Sequence, residues 1–174
     1  IDLIAPFIEA LKCENVKNSY RLILYGNTIS NEKWNQLGLS EIAEYRGWLD
    51  YSKDVSTLKD IDVFLQLLDD NNVSKAGWPN KLGDYLAFGK PVILSPYGDI
   101  IDFVKNEKGF FIVEYNKYSI LKILQEIKDI PYSDLKTMGY ANRQLAEKIS
   151  WKNRAKNIEY ICNKIRFNNE TVKN

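Results

Sequence analysis

Apolar residues along this chain fall into two patterns. The first is short and unbroken. Arg21 to Tyr25, Ile42 to Arg46, Asp62 to Leu68, Val92 to Leu94 and Phe110 to Val113 are runs of the kind that parallel strands buried on both faces require. The second recurs at steps of three and four: Ile4, Phe7, Ile8 and Leu11 early in the chain, then Ile120, Ile123, Leu124 and Ile127. Helices are also expected over Asn31 to Leu37, Ser52 to Leu58 and Asp99 to Lys105. Pro131 opens another to Lys148, and Ser150 caps a last one through Arg166, with Phe167 to Asn174 as a polar tail. Strands alternate with helices, so the expected fold is α/β, a Rossmann-like, doubly wound parallel sheet covered on both faces. Ligands of such sheets bind beyond the carboxyl ends of the strands. Gly26, Gly47, the Asp69-Asp70-Asn71-Asn72 loop and Ser95 to Gly98 all lie just past such ends and should share one rim.

The stretch from Pro79 to Ser95 carries most of the local information. Asn80 is a good N-cap residue, Leu82, Tyr85 and Leu86 fall at helical spacing, Gly89 suits the left-handed position after a helix, and Pro91 forbids continuation. Val92-Ile93-Leu94 follows as a buried strand. A helix start presents unpaired N–H groups and a positive dipole end, where a cation is otherwise disfavoured. Lys81 in that first turn therefore points to a bound anion, and a phosphate fits.

These residues resemble the donor site of retaining glycosyltransferases of the GT-B fold, group 1 or family 4 type. In that family a helix bearing a carboxylate runs into Gly-Lys-Pro-Val, here Gly89-Lys90-Pro91-Val92, and a glycine-containing loop follows, here Ser95 to Val104. Arg21 to Gly26 is similar to the family's strand ending in glycine, Tyr45-Arg46-Gly47-Trp48-Leu49 to its next strand and base-side loop, Ile61 to Leu65 to the strand before the helix, and Ile149-Ser150-Trp151 to the start of its last helix. The resemblance runs to about Arg166. It implies that residues 1–166 are the carboxy-terminal, donor-binding half of a GT-B fold, lacking its first strand and the amino-terminal acceptor domain that would be its partner, and inactive alone.

The resemblance also implies site roles. In the family this helix is flanked by two glutamates eight residues apart, the first near the sugar and the second on the ribose, and at those positions the chain has Ala76 and Asp84. Asp84 offers two oxygens to a vicinal diol, the bland alternative being a solvated aspartate or an i,i+3 pair with Lys81. Lys81 is the phosphate contact, against a plain surface lysine. Gly98 and Asp99, at a helix start, would give N–H groups to a phosphate or sugar hydroxyl, against a plain turn. Gly47 and Trp48 face the base, with a buried aromatic as the alternative for Trp48. Trp78 and Trp151 are read as core residues.

Composition narrows the chemistry. The 174 residues are 45% apolar, enough for one core. With 24 basic and 23 acidic residues the net charge is near +1, so no global field draws nucleic acid. Histidine is absent, which removes zinc hydrolase and Ser-His-Asp chemistry. Asp69 and Asp70 lack calcium-loop spacing, so no metal and no cofactor is expected beyond a UDP- or GDP-linked donor sugar. Cys13 and Cys162 are read as core thiols. No apolar run suffices to span a bilayer. A cytoplasmic place is expected, with peripheral membrane association of the full protein a further option. Polysaccharide or glycoconjugate synthesis is the family-level role. Two competitors stand: a sugar-nucleotide epimerase half, weakened by the absence of a histidine and by Ala76, and a non-catalytic regulatory or protein-interaction module, which would leave Gly89-Lys90-Pro91 without a role.

Overall fold

The five apolar runs form β1 (Leu22–Leu24), β2 (Ala43–Tyr45), β3 (Phe64–Gln66), β4 (Val92–Leu94) and β5 (Phe110–Ile112), and every pairing among them is parallel. Parallel neighbours need a crossover, and helices provide it. They are α1 (Ala5–Leu11), α2 (Asn31–Gln36), α3 (Asn72–Ala76), α4 (Asn80–Ala87), α5 (Ile100–Val104), α6 (Lys117–Lys128), α7 (Tyr132–Ile149) and α8 (Trp151–Thr171). The computed structural model describes residues 2–50 and 55–171.

Successive strand side chains point to opposite faces, and both faces are covered. On one, Ile93 meets Phe7, Ile8 and Leu11 of α1 and Ile120, Leu124 and Ile127 of α6, with Trp34 and Leu37 from α2 and its end alongside. On the other, Val92 and Leu94 meet Phe64, Leu82 and Leu86 of α4, Ile100 and Val104 of α5, and Leu145 of α7. This is the expected doubly wound α/β arrangement. One feature departs from a continuous sheet. The ladder breaks between β1 and β3, leaving a pair β1-β2 and a trio β3-β4-β5. All three β4 residues are buried, whereas β1 is only half-buried throughout.

α7 fastens the end of α4. A Cβ added at Gly139 would lie 2.1 Å from the Gly89 carbonyl oxygen, so α7 crosses the Gly89-Lys90 turn with main chain against main chain. Buried Asn142 donates from Nδ2 to the carbonyls of Lys90 (2.8 Å) and Gly109 (2.9 Å). Arg143 donates to the Ala87 carbonyl, one of the acceptors left open at a helix end.

Several local expectations shift. Asn80 is not the cap of α4; Pro79, held at φ −71° and ψ 104°, takes that place and the helix begins at Asn80 itself. The Asp69 to Asn72 loop gives rise to a helix, because Asn71 Oδ1 accepts from Ser74 N at 2.8 Å and closes the turn that starts α3. A 3-10 turn spans Val55–Asp60 where a helix from Ser52 was expected, and that start lies outside the described residues. α8 continues past Arg166 to Thr171, since no proline or glycine interrupts it; residues 172–174 are outside the described residues. Cys162 is exposed on α8 rather than in the core, and Cys13 is half-buried.

Tyr20 yields a pH prediction. Its hydroxyl donates to the Leu124 carbonyl, and burial, with Asp129 adding to it, pushes the phenol up to about 12. The folded protein thus keeps a proton that the unfolded chain releases near 10, so this group's contribution is intact below pH 10 and lost between pH 10 and about 12. Thermal unfolding of the wild type and Tyr20→Phe should show the wild type more stable at neutral pH and the gap narrowing above pH 10. A gap that stays constant would contradict the assignment.

Candidate functional site

Two glycines close the carboxyl ends of the first strand pair. Gly26 (φ +138°) follows β1 and Gly47 (φ +72°) follows β2, in conformations that side chains resist. The Gly26 N–H donates to the Gly47 carbonyl at 2.9 Å, and Tyr45 Oη donates to the Gly26 carbonyl at 2.9 Å, so the loops are stitched into one edge. Trp48 projects from it, 74% exposed. It is an open aromatic face rather than a buried one.

Beneath this edge runs a polar chain that the sequence reading did not single out. Arg46 Nε donates to Glu44 Oε1 at 2.7 Å and its Nη1 to Tyr25 Oη at 3.4 Å; Tyr25 Oη donates to Thr57 Oγ1 at 3.0 Å. Arg21 reaches the second Glu44 oxygen at 3.3 Å. The hydrogen bond from Arg46 holds the Glu44 carboxyl below the usual carboxylate range, against a smaller opposing effect of burial. The signal was available: residues two apart in a strand share a face, so Glu44 and Arg46 had to meet.

α4 brings the helix-start chemistry. Leu82 and Leu86 are fully buried and anchor it, Tyr85 stacks on Phe64 at 4.3 Å and 5°, and Lys81 and Asp84 occupy the exposed side. Its N-cap residue, Pro79, makes no side-chain capping bond, and Leu82 N bonds back to the Pro79 carbonyl at 2.9 Å. Among the described residues no side chain accepts from the N–H groups of Asn80 and Lys81.

The loop after β4 is held differently. Buried Ser95 accepts at Oγ from Leu68 N at 2.9 Å. Gly98 (φ +79°) lies under α3, where an added Cβ would stand 3.0 Å from the carbonyl oxygens of Ser74 and Lys75. Asp99 precedes α5 in helical conformation and makes no capping bond. Burial, then Glu114 and Asp70, raises the neighbouring Tyr97 phenol. Asp69 accepts from Ser74 Oγ at 3.0 Å and Asp70 pairs with Lys75 at 2.5 Å, so both acids serve α3. Ala76 is its exposed last residue.

A cavity of about 670 Å³ opens between β1 and β3, and Gly26, Trp48, Lys81 and Tyr85 are among its lining. The structure therefore brings Trp48 and Lys81 to one space, with Gly47 bonded to its rim. Asp84, Gly98 and Asp99 are not part of that lining. Trp78 and Trp151, expected in the core, are 38% and 85% exposed. Arg154 of α8 lies between them, 5.8 and 6.0 Å from the two rings, and Trp78 stands edge-on to Phe103. Their faces bind a guanidinium instead of a hydrophobic interior.

A sequence model of the family described as "Glycosyl transferases group 1" matches residues 4–145. No curated protein sequence matches the chain. Among solved structures, the chain is similar to sucrose-phosphate synthase from Thermosynechococcus elongatus, at 15% identity and a TM-score of 0.71, over 93% of this chain and 42% of that one. It is also similar to HepE of Anabaena, solved in complex with UDP, at 16% identity and a TM-score of 0.61, over 82% of this chain and 40% of that one. A third likeness is to the C-terminal domain of the glycosyl transferase group 1 family protein LpcC from Francisella tularensis, at 16% identity and a TM-score of 0.62, over 83% and 77% of the two chains. At these identities the likeness is one of fold, and the chain spans about two fifths of the length of the first two proteins.

Proposed function

Because the chain belongs to the glycosyl transferases group 1 family, we propose that it is the donor-binding part of a glycosyltransferase that moves a sugar from a nucleotide-sugar to an acceptor held by another domain. The observation that carries this reading is the uncapped start of α4: open N–H groups and Lys81 stand beside a cavity that Trp48 also lines. A diphosphate needs both kinds of donor. As the glycosidic bond breaks, the leaving diphosphate gains negative charge, and a fixed helix start with an ammonium group stabilises that charge more in the transition state than in the bound donor.

In this reading Trp48 and the Gly47 main chain take the base, Asp84 accepts from the ribose hydroxyls, and Gly98 and Asp99 offer N–H groups to a phosphate or sugar hydroxyl. Transfer would proceed with retention and without a bound metal, on the cytoplasmic side, in the synthesis of a polysaccharide or glycoconjugate. Charge and positioning carry the contribution of this part, and no nucleophilic side chain is assigned. UDP is the first nucleotide to test because HepE was solved with it bound.

Calorimetric titration with UDP, GDP and ADP tests the reading on wild type, Lys81→Ala and Asp84→Ala. One nucleotide should bind, and each substitution should weaken it by roughly five- to tenfold, the scale of one charge-assisted hydrogen bond. Equal affinity in all three proteins would remove Lys81 and Asp84 from the site. Absence of binding by any nucleotide, in this chain and in the full-length protein, would end the donor reading.

A further inference from the structure

α3 rests on the fold without an apolar anchor. None of its residues is buried, Val73 is 82% exposed, and across residues 70–77 only Ser74 is even half-buried. Its tethers are polar and local. Ser74 Oγ donates to Asp69 Oδ1 at 3.0 Å, Lys75 Nζ pairs with Asp70 at 2.5 Å with both side chains more than half exposed, and Asn71 caps the helix from within. Exposed ion pairs of this kind hold weakly. The flanks, by contrast, are fixed. Leu68 N donates to the buried Ser95 Oγ at 2.9 Å, and Trp78 stands edge-on to Phe103 at 5.4 Å with the Arg154 guanidinium 5.8 Å from its ring. Gly77 precedes Trp78 and has no side chain to hinder rotation, so residues 71–77 form a short arch with two anchored feet.

The arch covers the loop after β4. Gly98 (φ +79°) packs against it so closely that an added Cβ would stand 3.0 Å from the carbonyl oxygens of Ser74 and Lys75. Those carbonyls belong to the last turn of α3, where the helix itself leaves acceptors unpaired. An anion or a hydroxyl oxygen approaching Gly98 from that side meets acceptors, not donors. An element that buries no apolar surface and hangs on exposed polar tethers opens at little cost. We propose that residues 71–77 are a flap, closed over Gly98 in this structure, which lifts to admit a donor to the N–H groups of Gly98 and Asp99, with the Lys75–Asp70 pair as its catch. The ligand in this proposal rests on the donor reading above; the motion does not. Closure also accounts for the absence of Gly98 and Asp99 from the cavity that Trp48 and Lys81 share.

Lys75→Ala releases the catch, and its effect on binding has a sign that charge alone does not give. Removing a cation near a diphosphate should weaken binding, whereas releasing a flap should strengthen it, because apparent affinity scales with the fraction of open molecules. Calorimetry with UDP-glucose, GDP-glucose and ADP-glucose should show the one that binds held about two- to fivefold more tightly by Lys75→Ala, and at the wild-type value again in the charge exchange Asp70→Lys with Lys75→Asp. Weaker or unchanged binding by Lys75→Ala overturns the flap. Amide exchange reads the motion without a ligand. The Ser74 and Lys75 amides should share one opening constant, about two- to fivefold larger in Lys75→Ala and restored by the charge exchange, while Leu86 of α4 stays unchanged. Exchange at Ser74 and Lys75 no faster than at Leu86, or insensitive to Lys75→Ala, overturns it as well. If none of the three nucleotide-sugars binds, the donor reading falls by that result, and the flap stands or falls by amide exchange.

Discussion

Gly139→Ala is expected to cost this protein most of its stability. The new Cβ would stand 2.1 Å from the Gly89 carbonyl oxygen, 2.8 Å from the Gly89 carbonyl carbon and 3.2 Å from Lys90 Cα, all main-chain atoms that no rotamer change can move. α7 must lift. Asn142, one turn along, then loses its grip on the carbonyls of Lys90 and Gly109. Each buried acceptor left without a donor costs about 1–3 kcal/mol, and overpacking adds about 1–3 more. A sum of ~4 kcal/mol or above is a large share of what a domain this size possesses. Gly83→Ala is the control: nothing lies within 4 Å of its Cβ position and it sits inside α4, so it should stabilise by up to about 1 kcal/mol. Urea unfolding of both variants decides, and a Gly139→Ala midpoint equal to the wild type would mean that α7 does not press on the turn.

Leu82→Ala should come next in size. The side chain is fully buried and lies on α4 between Lys81 and Asp84. Truncating such a leucine costs about 2–5 kcal/mol, depending on how far the site collapses. The consequence for binding is more informative. If α4 positions its amino end for a diphosphate, loosening its anchor should weaken nucleotide binding even though Leu82 touches no ligand, while Lys81→Ala should weaken binding and leave urea unfolding within about 0.5 kcal/mol of wild type. Unchanged affinity in Leu82→Ala, with stability lost, would show that the helix start is not what holds the nucleotide.

Local chemistry was legible in the sequence where one residue type dictates one conformation. Gly89 does take φ +66° after α4, and Val92 to Leu94 is the buried strand expected after Pro91. Where two local rules competed, the stiffer one won. Proline's fixed φ starts α4 at Asn80 and leaves that residue no capping role, and Asn71 caps a helix inside what looked like loop. Pairing across the sheet was not legible, because which strands sit side by side depends on distant segments that period and propensity do not rank. The site splits in the same way. Lys81 and Trp48 meet in one cavity because the α4 start and the β2 end share a rim. Asp84, Gly98 and Asp99 are not among the residues that line it. Glu44 and Arg46 were overlooked because a run read as apolar draws attention away from the polar residues within it. Trp151 escaped the core because α8 offers its rings to Arg154.

Trp48, three-quarters in water at the strand ends, also makes the rim observable. An exposed indole fluoresces at the long-wavelength end of its range, and a flat ring laid on it dims and shifts that emission. Trp34 is half-buried edge-on to Tyr45, and Trp78 and Trp151 are exposed beside Arg154 and add emission of their own. With Trp78 and Trp151 replaced by phenylalanine, Trp48 becomes an optical gauge of the rim, readable without a label.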